Sequence, residues 1–171
     1  TSKYPAHKQA ADAQYLLGWT RLAVGKTAQG IADLRAFVRA HPSHELAGTA
    51  RRRITEAVQK LGDRTELSTE YRTLMEGKAS AEGLYAAGTI AGQLGDAREQ
   101  EAAWRRLLRE FSGDPLARRA GLALAQAAFK QEQYADAVTL AAPATKSEEM
   151  QAEAWLLTGE TIPLPKDIEN G

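Results

Sequence analysis

The sequence matches itself at intervals of roughly thirty-five residues, and no other feature constrains the fold so strongly. The stretches 11–44, 48–77, 81–114 and 118–146 each read as two short amphipathic helices around a tight turn. Units assigned to begin at 11, 48, 81, 118 and 152 are spaced by 37, 33, 37 and 34 residues. Repeats of this length and content cannot bury their apolar faces alone and must stack on their neighbours. The expected fold is all-α, a right-handed α-solenoid.

Turn chemistry supports that reading. In the first unit, Ala13, Leu16, Leu17 and Trp19 lead to a break at Gly25-Lys26. A second helix is predicted from about Thr27 to Ala40, with Ile31, Leu34, Phe37 and Val38 on one face. His41-Pro42-Ser43 ends it, because proline cannot continue a helix, and Ser43 is placed to cap the next. Gly62-Asp63 with Glu66, and Gly95-Asp96 with Glu99, each supply a left-handed closing glycine, an N-cap and a capping-box glutamate. Gly113-Asp114-Pro115 stops one helix and starts another. In the fourth unit, Ala117, Ala120, Leu124 and Phe129 precede Tyr134, Ala137, Val138 and Ala141, and Glu132 stands where the other turns have glycine. Ser147 is read as the cap of a last helix from Glu148 to about Gly159, with Ala154, Trp155 and Leu157 inward.

The expected division is 1–10 as the end of a preceding repeat, repeats at 11–47, 48–80, 81–117 and 118–151, a terminal helix 152–162, and a tail 163–171 holding Pro163 and Pro165. Tyr4-Pro5 precedes Ala11 much as His41-Pro42 precedes Gly48, and there is neither an initiator Met nor a signal peptide. The expectation is a piece of a longer array.

Frequent alanine with sparse β-branched residues favours helix, and no stretch alternates like a half-buried strand. With 22 basic and 22 acidic residues, the chain lacks the footprint of a nucleic-acid or anionic-membrane binder. The absence of cysteine excludes disulfides, thiolate metal sites and a cysteine nucleophile. No apolar run reaches the ~18 residues that span a bilayer. There is no Gly-rich phosphate loop, metal-binding His-Glu helix or nucleophile elbow. The expectation is a chain with no catalytic, metal or cofactor residues.

The stretch 11–44 resembles one tetratricopeptide repeat without a gap. Leu17-Gly18, Gly25, Gly30 and Pro42 stand at that family's first-helix pair, turn, second-helix small residue and end. Ala87-Gly88 repeats the small pair, and Tyr134 and Ala137 match positions around a second turn. The likeness covers about 5–160, with departures: Thr55 replaces the first-helix glycine, and Leu67 and Gln100 the second-helix small residue, which predicts looser helix crossing there. A narrower likeness lies in Phe37, His41-Pro42-Ser43, Leu46-Ala47 and Ala50, echoed at Tyr4-Pro5 and Phe111. It is similar to the linkers of bacterial cell-envelope repeat proteins, including the lipoprotein of the β-barrel assembly machine and the Tol–Pal-associated periplasmic protein.

The resemblance implies a non-catalytic scaffold holding a peptide or protein in a concave groove lined by the first helices. A role in bacterial cell-envelope assembly or coordination would place it in the periplasm or at the envelope, otherwise in the cytoplasm. Self-association through repeat ends is a further expectation, without nucleic-acid binding or membrane insertion. The alternatives are an accessory domain of a larger enzyme and a cytoplasmic regulator. By register the groove carries Tyr15, Trp19, Leu22, Arg52, Glu56, Lys60, Tyr85, Thr89, Gln93, Leu122, Gln126 and Phe129. Tyr15, Trp19, Arg52, Glu56, Tyr85, Gln126 and Phe129 are the candidate binding residues, since aromatics and arginine are frequent anchors. The competing role for Trp19 and Phe129 is packing between helices. Arg51, Arg52 and Arg53 point in different directions around a helix and cannot form one patch, and Arg52 is placed to pair with Glu56. His41 and His44 read as a solvated turn rather than metal ligands. Glu148-Glu149 and Glu99-Gln-Glu101 suit helix starts.

Overall fold

A computed structural model describes residues 5–148 and 150–159. They form helices and turns with no strand. In chain order these are α1 (Pro5–Ala23), α2 (Thr27–Ala40), α3 (Ala47–Leu61), α4 (Arg64–Glu76), α5 (Ala81–Leu94), α6 (Ala97–Glu110), α7 (Pro115–Lys130), α8 (Tyr134–Ala141), a 3-10 helix (Ala142–Lys146) and α9 (Gln151–Thr158). The arrangement is a series of helix-turn-helix repeats of the α-solenoid class. The chain divides into two compact units between Glu70 and Tyr71, within α4.

In the first unit α1 packs on α2 and α2 on α3. Their shared interior is Ile31, Leu34, Phe37, Ala47, Ala50, Ile54 and Val58, each at most 4 % exposed. The close approach of α1 and α2 depends on Gly18, where a methyl group would sit 2.8 Å from Leu34 Cγ. At the corresponding place in α3, Thr55 does not permit that approach. It donates instead to the buried Glu70 Oε1 at 2.6 Å, and Arg35 Nη2 reaches the other oxygen at 3.3 Å. A polar bridge thus stands where the first hairpin has its glycine contact.

In the second unit α5 packs on α6, α6 on α7 and α7 on α8. Leu84, Leu107, Ala117 and Ala120 form one buried cluster. Leu124, Ala125, Ala137, Leu140, Ala144 and Ala154 form the next. Gln100, another departure from the small-residue pattern, is half-buried over Gly92 of α5, and α5 still packs on α6.

The turns follow the sequence closely. Gly25, Gly62 and Gly95 have φ of 81°, 70° and 79°. Asp63 accepts from the Glu66 N–H at 2.9 Å, Asp96 from Glu99 at 3.0 Å, and Asp114 from Leu116 at 2.8 Å. The glutamates of both expected capping boxes are engaged from the second helix of the preceding repeat: Arg35 Nη1 bonds Glu66 at 2.6 Å, and the Tyr71 hydroxyl donates to Glu99. Arg105 Nη2 meets Asp136, the third residue of α8, at 2.6 Å in the same relation. Carboxylates in a helix's first turn are favoured by its dipole, and here they also tie successive second helices together.

Glu132 takes the left-handed conformation of the missing turn glycine, with φ of 60°. A side chain costs about 1 kcal/mol there, partly offset by glycine's larger unfolded-state entropy. Glu132→Gly is expected to stabilise the chain by about 0.5 kcal/mol. A lowered thermal midpoint would show that contacts of the glutamate outweigh the strain.

Four local expectations are corrected. Helix α1 begins at Pro5 rather than near Ala11, because proline is tolerated in a first turn and no breaker follows before Gly25. Ser43 does not cap α3; the N-cap is Leu46, which has no side-chain bond, and its N–H donates to His44 Nδ1 at 3.2 Å. Ser147 ends the 3-10 helix instead of capping a helix. The last helix therefore starts at Gln151, not Glu148, after Pro143 has turned the chain into the 3-10 segment. Residues 1–4 and 160–171, with Pro163, Pro165 and the proposed tail, lie outside the described residues, as does Glu149.

Candidate functional site

The candidate residues are best built one unit at a time. In the first unit, Tyr15 on α1 is 6 % exposed. Its ring lies 5.7 Å from Phe37, and its hydroxyl accepts from Arg53 Nε on α3 at 3.0 Å. The same guanidinium stands over the Trp19 ring, 5.2 Å from its centroid. Trp19 itself remains 41 % exposed. Arg53 is thus held from both sides by α1, and it holds the indole in place. Tyr15 supports this surface from below rather than lining it.

Arg52 and Glu56 lie on the solvent side of α3, with side chains 69 % and 64 % exposed and Arg52 Nε 3.9 Å from Glu56 Oε1. A pair so exposed contributes little to stability and is free to exchange partners. Arg51 turns a third way, towards the Pro42 carbonyl at 3.4 Å. The three arginines diverge as helical geometry requires.

His41 and His44 do not form a solvated turn. The His44 side chain is 11 % exposed, its Nε2 lies 3.5 Å from Asp12 Oδ1, and its ring meets Phe37 edge-on at 5.4 Å. His41 packs 5.6 Å from the same ring, with Nε2 3.1 Å from Gln14 Oε1. The imidazoles wall in Phe37, which aromatic residues do well because their flat faces pack while a nitrogen stays available to a polar partner.

In the second unit, Tyr85 stacks on Trp104, with centroids 6.0 Å apart at 26°, while its carbonyl accepts from Trp104 Nε1 at 3.2 Å. This half-buried pair closes the α5–α6 crossing over Gly88. Gln126 is half-buried and donates to Glu153 on α9. Phe129 is 47 % exposed and meets Tyr134 edge-on at 5.4 Å. Phe129, Tyr134 and Val138 make a small apolar patch at the last hairpin.

Beside that patch is an open cleft of 730 Å³ lined by Glu101, Arg105, Glu132, Tyr134 and Asp136. Arg105 joins Glu101 at 2.7 Å and Asp136 at 2.6 Å, and these bonds hold its guanidinium above the usual arginine value. Burial, then the Glu99 carboxylate, pushes the Tyr71 phenol far above its ordinary range, so it remains a donor. These groups tie helices to one another, and none stands opposite a nucleophile or a metal-ligand set.

In the first unit the structure joins Tyr15 and Trp19 through Arg53, while Arg52 and Glu56 meet only each other on the exposed side of α3. Tyr85, Gln126 and Phe129 sit at separate helix contacts of the second. Arg53 is the residue the sequence reading passed over: Arg53 follows Tyr15 by 38 positions, one repeat plus one residue, and that offset was its only signal.

Residues 85–142 and 122–161 match the family model of the tetratricopeptide repeat. No curated protein matches the chain. Tetratricopeptide repeats generally mediate protein–protein interaction. No helix among the described residues is long and apolar enough to cross a membrane.

Proposed function

We propose that the chain is a non-catalytic scaffold that binds a peptide or protein segment on the first unit's surface around Trp19, Arg52 and Glu56. The observation that carries this reading is the exposed Trp19 indole fixed by Arg53, itself held by the buried Tyr15 hydroxyl. An anchor already held in its binding orientation loses little side-chain entropy when a partner covers it. Tryptophan and arginine dominate binding energy in protein interfaces, and the exposed Arg52–Glu56 pair offers both charges to a polar rim. A partner segment with one apolar side chain flanked by charged or amide groups suits this surface. The sequence likeness at Phe37 to Ala50 supports assigning that work to bacterial cell-envelope assembly or coordination.

Capture from a bacterial envelope extract, with Trp19→Ala beside wild type, tests the reading. Truncating a central aromatic anchor removes about 2 kcal/mol or more of binding, a loss of roughly thirtyfold. The partner should therefore disappear with Trp19→Ala while the circular dichroism spectrum is unchanged. Equal recovery by both proteins would remove Trp19 from the interface.

A further inference from the structure

Several half-buried arginines of this fold are held by carboxylates. Arg21 meets Asp33, Arg35 meets Glu66 and Glu70, Arg105 meets Glu101 and Asp136, and Arg106 meets Glu110. Arg53 is also half-buried and held, but by neutral groups: Nε donates to the Tyr15 hydroxyl at 3.0 Å, and the guanidinium stands 5.2 Å from the Trp19 ring centroid. Among the described residues its terminal nitrogens, Nη1 and Nη2, have no hydrogen-bond or ion-pair partner, and neither is buried. The carboxylates closest in sequence face other cations. Glu56, one turn along α3, lies 3.9 Å from Arg52, and Asp12, one turn before Tyr15, lies 3.5 Å from His44 Nε2.

A guanidinium carries five N–H donors, and the bond to Tyr15 uses one of them. With Nε occupied and a flat face on the indole, the N–H groups at the tip remain. That tip is the fork whose parallel bonds match the two oxygens of a carboxylate. An arginine ordinarily gives up side-chain freedom when it grips an anion. Folding has already positioned this one, so little of that loss is incurred on binding. Its charge is only partly screened by water, and no anion of the chain compensates it. Beside the fork, the 41 % exposed indole offers an apolar surface. The two features together call for an acidic and an apolar side chain next to each other.

We infer that the Arg53 fork binds the side-chain carboxylate of a partner aspartate or glutamate adjoining the apolar residue that covers Trp19. Arg53 is then the residue that sets specificity at this surface. The inference rests on the Trp19 surface proposed above and names the kind of segment it selects. The carboxylate is a side chain in mid-segment. The indole stands at the surface, so the partner's backbone is free to continue past both contacts.

The probes are three acetylated tetrapeptides: Ala-Leu-Glu-Ala amide, Ala-Leu-Gln-Ala amide, and Ala-Leu-Gln-Ala with a free C-terminal carboxylate. Each is titrated into the isotope-labelled full chain, with the Trp19 indole N–H and Arg53 Nε–H resonances reporting binding. Wild type should bind the glutamate amide about tenfold or more tightly than the glutamine amide, the worth of a hydrogen bond to a charged group. Arg53→Lys keeps the charge and removes the fork. It should lose most of that preference, with the Trp19 shift by the glutamine amide retained and circular dichroism unchanged. Equal affinity of wild type for the two amides would overturn the inference and leave the Trp19 surface standing. A free-acid glutamine peptide that binds as well as the glutamate amide would also overturn it, because a chain end would then serve equally. A preference retained in full by Arg53→Lys would assign the carboxylate to another residue and overturn it as well. If no probe shifts the Trp19 signal, the proposed surface itself falls and takes the inference with it.

Discussion

Phe37→Ala is expected to lower the unfolding free energy by about 3–5 kcal/mol. The side chain is fully buried and is enclosed by Tyr15 at 5.7 Å, His41 at 5.6 Å and His44 at 5.4 Å. Alanine would leave a cavity whose walls belong to α1, α2 and the 41–46 turn, elements that backbone bonds such as His41 N–H to the Phe37 carbonyl prevent from closing in. Such a loss is a large part of the 5–15 kcal/mol that ordinarily separates folded from unfolded chains. Tyr15 would lose the ring that positions it, and the bonds from its hydroxyl to Arg53 and from Arg53 to Trp19 would loosen. The urea midpoint reads the first effect and Trp19 fluorescence the second. A stability loss below about 1 kcal/mol would mean that the Phe37 pocket collapses freely, contrary to the packing described.

Gly88→Val should cost about 3 kcal/mol, near the top of the range for overpacked sites. The new Cβ alone would lie 2.7 Å from Trp104 Cε2 and nearer still to other indole atoms. The indole cannot swing aside cheaply, since Tyr85 holds it both by stacking and through its carbonyl. The α5–α6 crossing would have to widen. A reduced urea midpoint with lost near-ultraviolet tryptophan dichroism is expected; wild-type values for both would show that Trp104 is free to move.

These effects also mark what the sequence made legible. Helical periodicity put Ile31, Leu34 and Phe37 on one apolar face, and turn chemistry located Gly62-Asp63, Gly95-Asp96 and Asp114-Pro115, because each signal is local. The helix expected from about Thr27 to Ala40 is α2. Tyr15 was harder to place. Its register put it on the outward side of the first helix, but whether that side meets solvent or the next hairpin depends on Arg53, one repeat away. His44 posed the same problem: a turn histidine looks solvated until a phenylalanine in the preceding helix and Asp12 on α1 close over it. The 3-10 helix at Ala142–Lys146 was missed because Pro143 sits where it is tolerated in a first turn, giving no clear break. Exposed pairs such as Arg52–Glu56 were predicted correctly because i, i+4 geometry needs no tertiary information.

The most direct test of partner binding at the first unit is photo-crosslinking with benzoylphenylalanine at position 52, compared with the same group at the exposed position 102 on α6. The scaffold account predicts an adduct with one protein from position 52, absent from position 102 and abolished by Trp19→Ala. An adduct indifferent to Trp19, or equal yields from both positions, would contradict it.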